Sequence, residues 1–399
     1  MSAPGSPLSG RRAAVIVLDG VGAGEARDAA AYGDVGSDTL GHVADAVGGL
    51  RLPALESLGL GRVRALRGLS ADAPATGAWG LMRPASAGKD STTGHWEIAG
   101  VHLERPFPTY PDGFPAEVVE TFARRTGRPV IGNVVSSGTR VLEVFGPEHE
   151  RTGAWILYTS ADSVFQVAAH EAVVPLEELY AACEEARRLL VAPHDVSRVI
   201  ARPFRGHEGA YERTANRRDF SIEPPAPTLL DVLADAGIPR AGVGKVDDLF
   251  ARRALTARHT GSNAEGIRRV QEWMAGPSGG LLLANLVDFD QLYGHRNDAA
   301  GFYRALQEFD AALPALLAQM REDDLLFITA DHGNDPTTPS TDHARENVPL
   351  LVAGARVEPR SLGVRETFSD LGATVAEWLG VGFRGRGTSF LSRIVTVAR

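Results

Sequence analysis

Four short apolar runs punctuate the chain, and each leads to a carboxylate. Ala13–Leu18 runs into Asp19, and Trp155–Tyr158 reaches Asp162 through Thr159-Ser160-Ala161. Leu281–Val287 meets Asp288-Phe289-Asp290, and Leu325–Ala330 meets Asp331-His332-Gly333. Unbroken apolar stretches of this length, rich in β-branched and aromatic side chains, predict strands covered on both faces, as in a parallel sheet. In open α/β sheets ligands bind beyond the carboxyl ends of the strands. One aspartate at such a place is equally well explained by a turn or a helix N-cap. Four of them, two with a histidine close by, point to a common chemical purpose.

Helical periodicity fills the gaps. Leu176, Leu179, Tyr180, Cys183, Ala186, Leu189 and Leu190 fall on one face, as do Phe302, Leu306, Phe309, Leu313 and Leu316-Leu317, which predicts two amphipathic helices. Thr228 followed three residues on by Asp231 resembles a capping box with Asp in place of Glu or Gln, and Thr367–Leu379 predicts a closing helix. Strands alternating with helices give an α/β fold with a mostly parallel sheet flanked by helices. Two proline-rich joints, Pro106–Pro111 and Glu223–Pro227, bracket a stretch of domain size. The expected organisation is a core from 13–105 and 225–399, a smaller inserted α/β domain over 106–224, and a flexible N-terminal tail over 1–12.

Charge narrows the partners. Forty-one basic against fifty acidic side chains leave a net charge of −9. Nucleic acid and anionic membrane surfaces are therefore not the expected partners, since both reward a basic face. A small anionic ligand gripped by a few local cations remains open. The single cysteine, Cys183, cannot form an internal disulfide, which suits a reducing compartment. No apolar run approaches the ~18 residues of a membrane span, and Ala13–Leu18 is too short for a signal sequence. A cytoplasmic location is expected, with no obligate protein partner evident.

Candidate chemistry concentrates in two places. Asp290-Gln291-Leu292-Tyr293-Gly294-His295, Asp331-His332 and Thr341-Asp342-His343 bring three carboxylates and three imidazoles to strand ends or just beyond them. Oxygen and nitrogen donors without thiolate suit manganese, zinc or iron. A set of this size can fill two adjacent metal sites, and paired metals suit phosphoryl displacement. His42, His102, His149, His194, His207 and His259 are read as structural. The second place is Gly88-Lys89-Asp90-Ser91-Thr92-Thr93-Gly94-His95-Trp96-Glu97. Three successive hydroxyls between glycines read as a solvated turn or cap, or as a nucleophile at a helix N-terminus, where N–H groups also favour a phosphate. A serine hydroxyl needs a metal or a base to become a nucleophile, so this motif and the metal clusters explain each other. Asp19-Gly20-Val21-Gly22-Ala23-Gly24-Glu25 mimics a dinucleotide fingerprint but has Glu25 where a third glycine is required, and Asp19 would face the pyrophosphate.

Taken together, the segments VLDGVGAGEARDA, YGDVGSDTLGH, GKDSTTGHWEIAG, YTSADSVFQVAAHE, RVIARPF, NLVDFDQLYGHRND and ITADHGNDPTTPSTDHARENVPLL resemble the phosphopentomutases, metal-dependent members of the alkaline phosphatase superfamily. The Asn-Ser-Glu-Val-Gly-His segment of cofactor-independent phosphoglycerate mutases is absent. The resemblance implies an alkaline-phosphatase-like core with an inserted α/β lid. It implies two divalent ions, manganese above all: one held by Asp290, His295 and His343, the other by Asp19, Asp331 and His332 with the nucleophile oxygen. The family nucleophile is a threonine, phosphorylated in the active form; Ser91 stands at that position here. Ser160 and Asp162 are expected to contact the sugar phosphate, lying between core and lid, and Arg198, Arg213 and Lys245 to grip its non-reacting phosphate. The implied activity interconverts ribose or 2-deoxyribose 1-phosphate and 5-phosphate through a 1,5-bisphosphate, with a sugar bisphosphate priming Ser91, in nucleoside salvage. The alternatives are a phosphomonoester hydrolase using the same nucleophile and a sugar-phosphate binding protein without turnover.

Overall fold

The computed structural model describes residues 10–160 and 162–395; residues 1–9 of the expected tail lie outside this range. Fourteen strands follow one another among the described residues: β1 (Arg12–Leu18), β2 (Ala78–Met82), β3 (Val130–Val135), β4 (Trp155–Thr159), β5 (Val164–His170), β6 (Arg198–Arg205), β7 (Glu212–Arg213), β8 (Arg218–Ser221), β9 (Arg240–Val243), β10 (Ala257–Arg258), β11 (Gly280–Leu286), β12 (Asp324–Thr329), β13 (Val348–Ala353) and β14 (Arg360–Arg365). They belong to two compact units: one from the segments up to Arg105 and from Pro224 onward, the other from Pro106–Glu223. No described helix is long and apolar enough to cross a membrane.

The first unit is built on an eight-stranded sheet in the order β10-β9-β11-β1-β12-β13-β2-β14. Neighbours are parallel except at β13, which runs against both β12 and β2. β1 is central, and its two neighbours start level with it: Arg12 lies opposite Gly280 of β11 and Asp324 of β12. All residues of these three strands are buried, as strands covered on both faces must be. The Phe302 periodicity forms the helix Ala299–Ala318, and the closing helix is Ser369–Trp378. At the helix Leu229–Asp235 the capping box is complete: Thr228 Oγ1 accepts from Asp231 N, and the Asp231 carboxylate accepts from Thr228 N.

The expected tail runs too far. Arg12 is the first residue of β1 and is fully buried. Its guanidinium pairs with Asp324, donates from Nη1 to Met274 O at 2.8 Å, and lies over the Trp273 ring. A charge just before an apolar run resembles the end of a tail; its counter-ion arrives only with a strand far along the chain.

The second unit carries a mixed sheet, β3-β4-β5-β6-β7, with β8 also paired to β6. β3/β4 and β5/β6 are parallel, the remaining pairs antiparallel. The Trp155 run is β4 of this sheet, so the four runs are divided three and one between the units. One face, with Trp155, Leu157, Phe165, Val167, Val199 and Ala201, packs against the helices Ala116–Thr126 and Leu176–Leu189. On the other face the helix Gly138–Thr152 covers Ile156, Tyr158, Ala168 and Phe204.

Candidate metal centre

Because β11, β1 and β12 run side by side in one direction, their carboxyl ends deliver side chains to one place. Asp19 follows β1 directly, Asp290 lies in the tight turn Phe289–Tyr293 after β11, and Asp331-His332 follow β12. His295 comes from the next turn, and His343 from the loop before β13. The ligand-type atoms of Asp290, His295 and His343 all lie within 4.8 Å of one another, as do those of Asp19, Asp331 and His332. Within the first group the Nε2 atoms of His295 and His343 stand 3.1 Å and 3.3 Å from the Asp290 carboxylate. Within the second, His332 Nε2 is 3.2 Å from Asp19 Oδ1. The groups adjoin: the His332 and His343 ring centroids are 4.1 Å apart. Backbone carbonyls fix two of the rings, with His295 Nδ1 donating to Thr341 O at 2.5 Å and His332 Nδ1 to Gly333 O at 3.0 Å, which turns each Nε2 toward the carboxylates.

The electrostatics are those of a crowded anionic pocket. Burial, then repulsion from Asp331 and Asp290, raises the Asp19 pKa. Burial would do the same to Asp290, but the His343 and His295 imidazoles outweigh it and hold that carboxyl well below the usual range. Burial opposes charge on His332 too, yet Asp331 and Asp19 hold its pKa well above the ordinary value. Asp331 Oδ2 and His343 Nε2 are buried without a hydrogen bond of acceptable geometry. Buried polar atoms are rarely left so, and a cation is the partner that carboxylate oxygen and imidazole nitrogen both accept. The residues therefore fit two divalent ions.

Ser91 opens the helix Ser91–Ile98, whose N-cap is Asp90: Oδ1 accepts from Thr93 N at 3.1 Å and Oδ2 from Thr93 Oγ1 at 2.6 Å. Thr92 and Thr93 are buried, and Thr93 Oγ1 is engaged by the Asp90 cap, whereas Ser91 reaches the ligand groups. Its Oγ is 3.0 Å from His332 Nε2 and 3.5 Å from Asp19 Oδ1. Gly94, one turn later, lies against the backbone of Asp331; a Cβ there would stand 2.1 Å from Asp331 O.

In the second unit, beyond the first residue of the helix Gly138–Thr152, the sheet face opens into a cavity of about 280 Å³. Ser160, Asp162 and Arg198 line it, together with Gln166, Arg202 and Arg217, which the sequence reading did not single out. Arg202 Nε donates to Gln166 Oε1 at 3.0 Å, and burial beside Arg217 lowers its pKa. Arg213 is not among the lining residues; its guanidinium lies 3.2 Å from where a Cβ on Gly138 would stand. Lys245 belongs to the first unit, where Nζ donates to Gln291 Oε1 at 3.0 Å.

Residues 11–382 match the metalloenzyme superfamily. A phosphopentomutase of Caldanaerobacter subterraneus subsp. tengcongensis is 54% identical over 386 residues, covering 96% of this chain and 98% of that one. One of Anaeromyxobacter dehalogenans is 56% identical over 386 residues, 96% of this chain and 99% of that one. The chain belongs to the phosphopentomutase family. It is accordingly an enzyme, a phosphotransferring isomerase of a metalloenzyme superfamily. A solved phosphoglycerate mutase of Leishmania mexicana is 11% identical with a TM-score of 0.49, covering 96% of this chain and 98% of that one.

Several residues of this phosphopentomutase-family site escaped the sequence reading. His95, one turn after Ser91 on the same helix, brings Nδ1 to 3.1 Å from Asp331 Oδ2 and 2.9 Å from Ser91 O; its i+4 spacing from Ser91 was the available signal. Buried Arg345 holds the Ser91 loop through Gly88 O at 2.5 Å while paired with Asp28. Glu346, pushed up to about 8 by burial, accepts from Thr39 Oγ1 at 2.8 Å and Gly24 N at 3.2 Å. It also accounts for part of the glycine-rich segment after Asp19, since a Cβ on Gly22 would stand 2.3 Å from Glu346 Oε2. Of the histidines read as structural, His42 Nδ1 lies 2.5 Å from the Asp335 carboxylate and His259 Nε2 lies 2.7 Å from Asp247.

Proposed function

We propose that the chain interconverts the 1- and 5-phosphates of ribose or 2-deoxyribose by passing a phosphoryl group through Ser91. The observation that supports this best is the position of Ser91 Oγ, at a helix start and 3.0 Å from His332 Nε2, beside two adjoining carboxylate–imidazole groups. In this reading Asp290, His295 and His343 hold one divalent ion, and Asp19, Asp331 and His332 with Ser91 Oγ hold the other; manganese is the ion assigned. When bound, the ions supply positive charge against the oxygens of the transferring group.

The chain's own residues do the rest. Phospho-Ser91 gives its phosphoryl group to the free hydroxyl of the pentose monophosphate: the Oγ–phosphorus bond breaks as the sugar oxygen–phosphorus bond forms. The resulting 1,5-bisphosphate reorients and returns its other phosphoryl group to Ser91. A sugar bisphosphate primes a resting enzyme by the same step. Ser160 and Asp162 receive the sugar phosphate, and Arg198, Arg213 and Lys245 are assigned to its non-reacting phosphate on the resemblance; a guanidinium fork matches phosphate oxygens. Serine lacks the methyl that restricts χ1 in threonine, so the Asp90 cap and the close seat of Gly94 do more of the positioning. A place in cytoplasmic nucleoside salvage is assigned on the resemblance.

Phosphorus NMR tests the proposal. Manganese-loaded protein given ribose 1-phosphate and a trace of sugar bisphosphate should yield ribose 5-phosphate without free phosphate. Free phosphate without isomer would make the chain a hydrolase. Ser91→Ala with wild-type turnover would end the assignment of the nucleophile.

A further inference from the structure

We infer that Asn334 is a positioning residue that fastens together the three loops carrying the metal ligands, an inference that rests on the ligand assignments above. Asn334 lies just beyond Asp331-His332-Gly333 and is fully buried. Its Nδ2 donates to Asp290 Oδ1 at 2.6 Å. Its backbone N–H donates to Gly20 O, next to Asp19, at 2.8 Å and shares that hydrogen with Thr39 Oγ1 at 3.1 Å. One residue thus joins the loop after β12 to the carboxylate after β11 and to the loop after β1.

Two glycines from other loops make room for it. A Cβ on Gly20 would stand 3.0 Å from Asn334 Cβ, and one on Gly294 would stand 2.5 Å from Asn334 Cγ. Gly20 has a left-handed φ of 75°, which favours glycine for a second reason. Gly294 has a φ of −58° and a ψ of −62°, which any residue adopts. Space for Asn334 therefore accounts for the glycine next to His295. The chemistry suits the place: Asp290 already faces the charge of Asp19, and a neutral amide fixes its rotamer without adding another anion. Partners that orient a metal-binding carboxylate typically contribute ~10–100-fold in metal affinity.

Isothermal titration of manganese(II) into the metal-free full-length chain tests this. Wild type should take up two ions. Asn334→Ala should lower the affinity for at least one of them ~10–100-fold, with kcat returning toward wild type at excess manganese. Gly294→Ala, which displaces Asn334 without removing its donor, should lower affinity likewise. The double variant should bind no more weakly than Gly294→Ala alone, because residues in contact are non-additive. If thermal melting shows Asn334→Ala unfolded, Gly294→Ala decides: loss of affinity supports the inference and wild-type affinity overturns it. Wild-type affinities in folded Asn334→Ala, or additive losses in the double variant, also overturn it. A wild type that takes up fewer than two ions overturns the ligand assignment and this inference together.

Discussion

A methyl group at position 94 should separate the nucleophile from the metal ligands. The helix Ser91–Ile98 approaches the end of β12 so closely that a Cβ on Gly94 would stand 2.1 Å from Asp331 O and 2.7 Å from Asp331 C. Both atoms are backbone at the end of a buried strand, so the helix must yield. To reach an ordinary carbon–oxygen contact of ~3.3 Å it retreats by about 1.2 Å. Ser91 sits three residues earlier on the same short helix and moves with it, opening the 3.0 Å approach of Oγ to His332 Nε2. A misplacement of ~1 Å costs ~100-fold in rate, equivalent to ~2.7 kcal/mol of barrier. Helix propensity alone argues the other way, since Ala is favoured over Gly by ~0.5–1 kcal/mol in a helix interior. The assay is kcat for ribose 1-phosphate isomerisation in Gly94→Ala at saturating manganese and bisphosphate, with circular dichroism to establish the fold. Wild-type kcat in a folded, fully metallated variant would refute the packing argument.

Two predictions concern stability. Asp324→Asn or Arg12→Met leaves a buried charge without its full partner, which costs ~3–5 kcal/mol. Urea unfolding followed through Trp273 and Trp378, both beside Arg12, should show this and a large recovery in the Arg12→Met/Asp324→Leu double variant; additive losses would refute it. In the second unit, burial, with His170 and Arg128 nearby, pushes the His149 pKa down. Its Nδ1 donates to Ala154 O at 2.6 Å and its Nε2 accepts from His170 N at 2.9 Å, so the folded state favours the neutral ring. This contribution is complete above the unfolded value of ~6.5 and is lost as pH falls from there through the depressed folded pKa. Thermal melts from about pH 7 to about pH 5 should show that slope reduced in His149→Gln; an unchanged slope would count against the assignment.

What the sequence makes legible follows from locality. Asp19, Asp290 and Asp331-His332 stand out because an apolar run that stops on a carboxylate is a local pattern, and the side-by-side strands bring those ends together. Ser91 stands out because its cap and hydroxyl run are local too. The reversed direction of β13 has no local signature, and neither does the membership of β4 in the other sheet. Arg12, Gly94 and Asn334 look ordinary in sequence because their partners, Asp324, Asp331 and Asp290, lie elsewhere in the chain. The glycines at 22 and 294 have no such signature either; in the fold they are clearance for Glu346 and Asn334.

The central position of β1 also sets an order of events during synthesis. β1 ends at Leu18, while the strands that pair with it begin at Gly280 and Asp324. At ~5–20 residues per second, the ribosome takes ~15–60 s to supply both. Through that interval β1 has neither of its native neighbours, whereas Pro106–Glu223 is contiguous and emerges whole. Asp19 is made well before Asp331, His332 and His343, so neither ligand group is complete until synthesis has passed β12. A chain interrupted before the end of β12 leaves both ligand groups incomplete.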